Sequence, residues 1–282
     1  ELFKLVNLRS EKAPMNFALQ IDGPLDNPSI SGRAVISNGN IQVDSLGFEL
    51  NELASELRFS GRTVHIEHFS GHIKDGMVNG QGTMIFHANQ KPEFHLLLDM
   101  NEVYWKPLSN LDLVASGQLQ LNGLSNELEL GGDIELQSLR YDANIDLKNL
   151  LGLANQSLGV ESESQAPINL RIKLKADDNV IFVNNFIESE LQAELNLTGT
   201  TQRIGLLGSA ALIWANITLG GNHYTVQHAA IDFIDEYAIR PRYDLRATTE
   251  ACGLSLMVMV RGDADRYTIS ATGQDDVGPV EP

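Results

Sequence analysis

Residues 19–36 read LQIDGPLDNPSISGRAVI, and the same frame returns as LQLNGLSNELELGGDIEL at 119–136 and LNLTGTTQRIGLLGSAAL at 195–212. In each, two alternating apolar residues lead to a glycine, and a second glycine nine positions on opens another alternating run. The pairs are Gly23/Gly32, Gly123/Gly132 and Gly199/Gly208. A strand–turn–strand frame that repeats signals an array of like units. Units built on two-residue alternation share one long apolar face, and that face is the main pointer to function.

The alternation extends well beyond the frames. Phe94, Leu96, Leu98 and Met100 fall on one side of a strand, as do Leu191, Ala193, Leu195 and Leu197. Ile168, Leu170, Ile172 and Leu174 alternate with Asn169, Arg171 and Lys173. Such runs are half-buried strands with one dry and one wet face. Turn-forming clusters separate them: Ser37-Asn38-Gly39-Asn40, Lys74-Asp75-Gly76, Val78-Asn79-Gly80, Asp177-Asp178-Asn179 and Gly220-Gly221-Asn222. The pattern predicts roughly 20 strands, most of four to eight residues. One stretch departs from it. Leu147, Leu150, Leu151, Ala154 and Leu158 follow helical spacing, so a short amphipathic helix is expected over 144–160. The organisation read from the chain is a β-repeat region at 1–143, a helix and linker at 144–166, a second β-repeat region at 167–273, and a frayed tail at 274–282.

Bulk properties narrow the function classes. The chain has 282 residues, and its 43% hydrophobic content suffices to bury a core. A formal net charge of −17 opposes binding to nucleic acid or to an anionic membrane surface. The lone Cys252 excludes an intrachain disulfide, and its register with Leu254, Leu256, Val258 and Val260 makes it a small buried hydrophobe. No apolar run reaches the roughly 18 residues needed to span a bilayer. The opening ELFKLVNLRSEK lacks the features of a signal peptide and reads as an internal start.

Catalytic signals are weak. His65, His68 and His72, with Glu67 and Asp75, form the densest group of potential metal ligands, but their spacing suits neither a strand face nor a helix face. Gly80-Gln81-Gly82 precedes no helix and is not a nucleotide loop. The expectation is a non-enzymatic protein without a metal or cofactor.

A dry face on every strand needs an apolar cover: a second sheet, covering helices, or the same sheet curled on itself. Charged residues on the wet face exclude a lipid-embedded barrel. What remains is an all-β sandwich, a β-solenoid, or a long sheet folded around a dry trough.

Three segments carry a family resemblance. LRFSGRTVHIEHFSGHIKDGMVNGQGTMIF at 57–86 pairs a strand with a glycine-rich hairpin through Gly76, Gly80 and Gly82. ELQAELNLTGTTQRIGLLGSAALIWANITLGGNHYTVQHAAIDF at 190–233 has a longer strand–glycine passage. Pro241, Tyr243, Leu245 and Ala247, then Leu256 to Gly262, complete it. Together they resemble the TamB and wider AsmA-like family, with Ala230 standing where that pattern has glycine.

The resemblance implies a curled β-taco groove in the periplasm, anchored to the inner membrane of a Gram-negative bacterium in the full-length protein. It also implies phospholipid movement between the membranes and an Omp85-type outer-membrane barrel as partner. The chemistry is compatible. At about 0.8 kcal/mol per CH2, an acyl chain of about 16 carbons costs on the order of 12 kcal/mol to bring into water. At about 4.8 Å per strand, roughly 20 strands would give about 100 Å of trough. The residues expected to line it are Leu96, Leu98, Leu170, Ile172, Leu195, Leu197, Leu212, Trp214, Leu245, Leu256 and Val258. The alternative is a structural or adhesive β-solenoid whose own side chains fill the interior.

Overall fold

A computed structural model describes residues 8–24, 29–43, 48–88, 90–142, 166–219, 221–251, 254–263, 266–275 and 278–280. These residues form an all-β structure with no helix among them. The expected helix at 144–160 and the environment of Cys252 lie outside the described residues.

The strands are β1 (Leu8–Lys12), β2 (Met15–Asp22), β3 (Ser29–Val43), β4 (Phe48–Gly61), β5 (Thr63–Ile73), β6 (Gly76–Ile85), β7 (Glu93–Leu108), β8 (Leu111–Leu124) and β9 (Glu127–Asp142). They continue with β10 (Asn169–Val183), β11 (Ile187–Thr200), β12 (Arg203–Leu219), β13 (Asn222–Asp235), β14 (Pro241–Ala251), β15 (Leu254–Asp263), β16 (Tyr267–Asp275) and β17 (Gly278–Val280). Their number among the described residues, 17, is close to expectation, but their length is not: β12 alone has 17 residues.

The difference has a local cause. Three of the expected breaks lie inside strands. Ser37-Asn38-Gly39-Asn40 sits within β3, Val78-Asn79-Gly80 within β6, and Asp177-Asp178-Asn179 within β10. In β3 the ladder shifts on either side of Gly39, and Asn38 takes a φ of 53°. In β10, Asn179 has a φ of 57°. Asparagine tolerates this left-handed conformation, and in β3 the irregularity is absorbed as a bulge, with pairing resumed beyond it. By contrast, Lys74-Asp75 and Gly221 do form turns. The tail expected to fray from 274 contributes to a small hairpin, with Gly273–Asp275 paired to Gly278–Val280.

The chain divides into two compact units. The first comprises Glu1–Glu135, Gly159–Lys173 and Thr200–Gln202. In it β2 through β8 form an antiparallel meander, each strand bonded to its sequence neighbour. β1 and β2 both pair with β3, β1 near its C-terminal end and β2 near its N-terminal end. Leu50, Leu53, Ile73, Val78 and Val103 form a buried cluster, with Ile36, Ile41, Phe48, Phe69 and Met100 packed around it. The second unit comprises Leu136–Leu158, Leu174–Gly199 and Arg203–Pro282. There β12 through β17 form a second antiparallel meander.

The repeated frame has one structural meaning in all three copies. The second glycine lies opposite the apolar residue that leads toward the first. Gly32 pairs with Leu19, Gly132 adjoins Leu119, and Gly208 adjoins Leu195. Their φ angles are +131°, +145° and +123°. A Cβ at these positions would collide with the carbonyl oxygen of Ala18, Gln118 or Glu194. Glycine is therefore demanded both by conformation and by close approach of the preceding strand.

Candidate functional site

Residues directly paired across an antiparallel ladder point to the same side. In the first unit this rule yields three rows that cross seven strands. One runs Met15, Ile36, Ser55, Phe69, Gly80, Leu98, Leu119. The next runs Phe17, Ala34, Leu57, Ile66, Gly82, Leu96, Leu121. The third runs Leu19, Gly32, Phe59, Val64, Met84, Phe94, Gly123. Ser55 is the one polar member. The shift in β5 between Ile66 and Phe69 sets Glu67 and His68 against the single Gln81 of β6, and this one extra residue keeps the rows aligned.

The opposite side is polar. One of its rows reads Ala18, Arg33, Arg58, His65, Thr83, His95, Asn122. Arg33 pairs with Glu56 and Arg58 with Glu67. Glu93 receives His87 and His95, each at 3.0 Å, and these contacts hold its carboxyl below its ordinary value. His72 stands 3.9 Å from Glu52, and no metal-ligating group of three occurs among the described residues.

The second unit repeats the plan. Ala210, Ile231, Tyr243, Gly262 and Tyr267 share a row, as do Ala229, Leu245, Val260 and Ile269, then Val226, Ala247, Val258 and Ala271. Leu256 lies between Thr249 and Gly273. Burial raises the Tyr243 hydroxyl above its ordinary pKa, with the Asp263 carboxylate acting in the same direction. On the wet side Asp244 accepts Arg261 at 3.1 Å, which lowers its pKa.

The degree of burial distinguishes this face from a closed core. Leu57, Phe59, Val64, Ile66, Leu96, Leu98, Leu119 and Leu121 are half-buried, as are Tyr243, Leu245, Val258 and Val260. Phe94 has no exposure, and the small side chains Ala34, Ser55, Ala210 and Ala247 of the same rows are buried too. Residues sealed between two sheets would resemble Phe94. Partial burial of most large side chains in the rows describes an apolar surface with an open side.

The expected lining residues divide accordingly. Leu96, Leu98, Leu245, Leu256 and Val258 stand in the rows, and Leu195 adjoins Gly208. Leu197 and Leu212 are half-buried on the same alternation. Leu170 and Ile172 are buried more completely. Trp214 is the outlier: it is exposed, and its indole N–H donates to the Glu190 carboxylate at 2.6 Å. Phe17, Phe59, Ile66, Leu119, Leu121 and Val260 belong to the same faces, although the sequence alone does not single them out. Alternation in LRFSGRTVHIE carries that signal for Phe59 and Ile66, yet only the cross-strand register shows which alternating sets coincide.

A model of the TamB C-terminal domain matches residues 67–270. The chain belongs to the TamB family. Membership assigns it to outer-membrane biogenesis in the Gram-negative envelope, in the translocation and assembly module class. Every expected lining residue falls within the TamB match. No curated protein matches this chain. Among the described residues no helix is long and apolar enough to cross a membrane.

Proposed function

We propose that this TamB-type chain shields phospholipid acyl chains on its apolar face as lipid moves between the inner and outer membranes. It acts in the periplasm, held to the inner membrane in the full-length protein, with an Omp85-type barrel as its outer-membrane partner. Its role is conductive and non-enzymatic. The observation that carries the reading is the set of uncharged rows, half-buried over strand after strand. A carrier of this kind needs to remove water from the acyl chain without a deep pocket that would retain it. Rows of Leu, Ile, Val and Phe interrupted by glycine supply dispersion contacts and no fixed charge.

The alternative, a structural or adhesive solenoid, has one observation in its favour: the buried cluster around Leu53 and Val103 is filled by the protein's own side chains. Lipid analysis separates the two. Organic extracts of the native chain purified from bacteria would be compared by mass spectrometry with a Leu96→Asn, Leu98→Asn variant. Phospholipid enriched with the native chain and lost from a variant with an unchanged melting curve is the expected result. A lipid-free native protein, or a variant that unfolds because these leucines form a sealed core, would favour the scaffold.

A further inference from the structure

In the second unit the basic residues are segregated along the strand direction. Between Ile187 and Asp275 every lysine or arginine is an arginine: Arg203, Arg240, Arg242, Arg246, Arg261 and Arg266. The ladders bring them toward one lip of the sheet. Arg203 opens β12 beyond the Leu206–Asp235 pair, Arg240 precedes β14, and Arg266 precedes β16. Arg242 pairs with Asp263 and Arg261 with Asp244 just inside the same lip, and Arg246 stands midway along β14. Strands β12, β14 and β16 end at the opposite lip, where β11, β13 and β15 begin. The Thr218 N–H donates to the Phe186 carbonyl at 2.8 Å, which fixes the start of β11 there. That lip carries Glu188, Glu190, Glu250 and Asp275, and residues 187–275 bring no lysine or arginine to it. At the arginine lip, Asp232, Asp235, Glu236, Asp244, Asp263 and Asp265 offset the arginines. One lip is therefore balanced and the other acidic.

The dry face changes character in the same direction. Leu245, Val260 and Ile269 form an apolar row, and the next row toward the arginine lip is Tyr243, Gly262 and Tyr267. Both tyrosines thus stand at the margin of the dry face, and Tyr267 is 43% exposed. Between them Gly262 has a φ of +137°, and a Cβ there would strike the Arg266 carbonyl oxygen, so no side chain fills the gap. Tyrosine has an apolar ring with a hydroxyl at its tip and suits a boundary between dry and wet surface. Arginine presents a planar fork of donors that matches phosphate. Three of the arginines are held by protein groups. Arg203 donates to the Tyr237 carbonyl at 3.3 Å, and Asp244 pairs with Arg261 at 3.1 Å and Arg246 at 4.0 Å. Arg240 and Arg266 lie just outside the strands, close in sequence to Tyr243 and Tyr267.

We propose that this lip receives the phosphate of a phospholipid, bound by Arg240 and Arg266, while the acyl chains run from Tyr243 and Tyr267 down the rows of Leu245 and Ala247 toward the acidic lip. The proposal rests on the lipid-shielding role and adds an orientation to it: headgroups occupy one lip only. Charge decides which. A phosphate at the acidic lip would meet the carboxylates of β11 and β14 with no arginine beside them, in a chain of net charge −17. At the other lip two guanidinium groups can take its oxygens, and the tyrosine rings cover the first carbons of the chains while their hydroxyls stay near water.

Two photoreactive phosphatidylethanolamines provide the test, one with a diazirine on the headgroup and one with it at the end of an acyl chain. Each is loaded onto the native chain from vesicles, irradiated, and mapped by peptide mass spectrometry. The headgroup probe should label residues 236–246 and 261–268 about fivefold more than residues 186–192 and 248–257, as expected if the arginines hold the phosphate. The chain-end probe should favour the second set. An even or reversed headgroup pattern beside clear chain-end labelling would overturn the orientation and leave lipid shielding standing. No labelling by either probe would remove both. A paired variant, Arg240→Gln with Arg266→Gln, should keep its melting curve, lose capture of phosphatidylglycerol about fivefold, and retain capture of a diacylglycerol with the same chains. Equal loss of the two lipids would assign the arginines to the fold and overturn the proposal. So would inorganic phosphate that shields both arginines from phenylglyoxal while the headgroup probe labels elsewhere, since the site would then serve a small anion. The cross-link map needs no variant and decides the matter even if the paired variant unfolds.

Discussion

At residue scale, the glycines that open the second half of each frame carry the most information. Gly132 and Gly208 lie opposite leucines from the preceding strand, in a backbone conformation and a space that exclude a side chain. Ala at either position must displace backbone, because the colliding atom is a carbonyl oxygen. Gly132→Ala and Gly208→Ala should each destabilise the fold by about 1–3 kcal/mol, through strain at positive φ. Chemical denaturation measures this, and Gly221→Ala is an instructive comparison. Its φ is also positive, yet no atom lies within 4 Å of the added Cβ, so conformational strain acts alone and the loss should be smaller. The frame is legible in sequence because both glycines recur at fixed spacing. Its meaning is less so: spacing alone makes the second glycine the start of a strand, while in the fold it marks mid-strand contact.

At element scale, strand identity and strand length separate in the same way. Alternation identifies β7, β10, β11 and β14 correctly because one face of each is apolar and the other is not. It breaks β3, β6 and β10 too early, because asparagine and glycine also stand inside strands, at a ladder shift in β3 and in regular pairing in β6. Register is beyond its reach, since register depends on partners rather than on the strand itself. The polar side of β7 gives a pH prediction. His87 and His95 hydrogen-bond Glu93 from two directions and favour its charged form. A carboxyl lowered on folding contributes stability that is complete above its ordinary pKa and is lost as pH falls through the lowered value. Replacing both histidines with alanine should move the Glu93 midpoint upward in carboxyl-carbon NMR. An unmoved midpoint would assign the shift to another cause.

At the scale of the whole molecule, net charge is the largest influence after burial. Thirty-seven acidic residues face 20 basic ones, and the ion pairs that occur are on the solvent side. Exposed pairs of this type contribute little individually, so net repulsion is relieved mainly by counterions. The melting temperature should rise by several degrees between roughly 10 mM and 150 mM salt, as the screening length falls from about 30 Å to about 8 Å. A flat or falling salt dependence would show that local pairs outweigh the net charge. Composition alone makes this repulsion visible. The class of fold and its family are legible too, because both reside in pattern. The open side of the apolar face is not, since alternation is identical whether the dry side meets a second sheet or nothing.

Each copy of the glycine frame carries its own contact with the strand before it. A segment closed in this way can be duplicated or lost in tandem without redesigning its neighbours. Reach then becomes a quantity that gene duplication can set in steps of one hairpin, about 10 Å each.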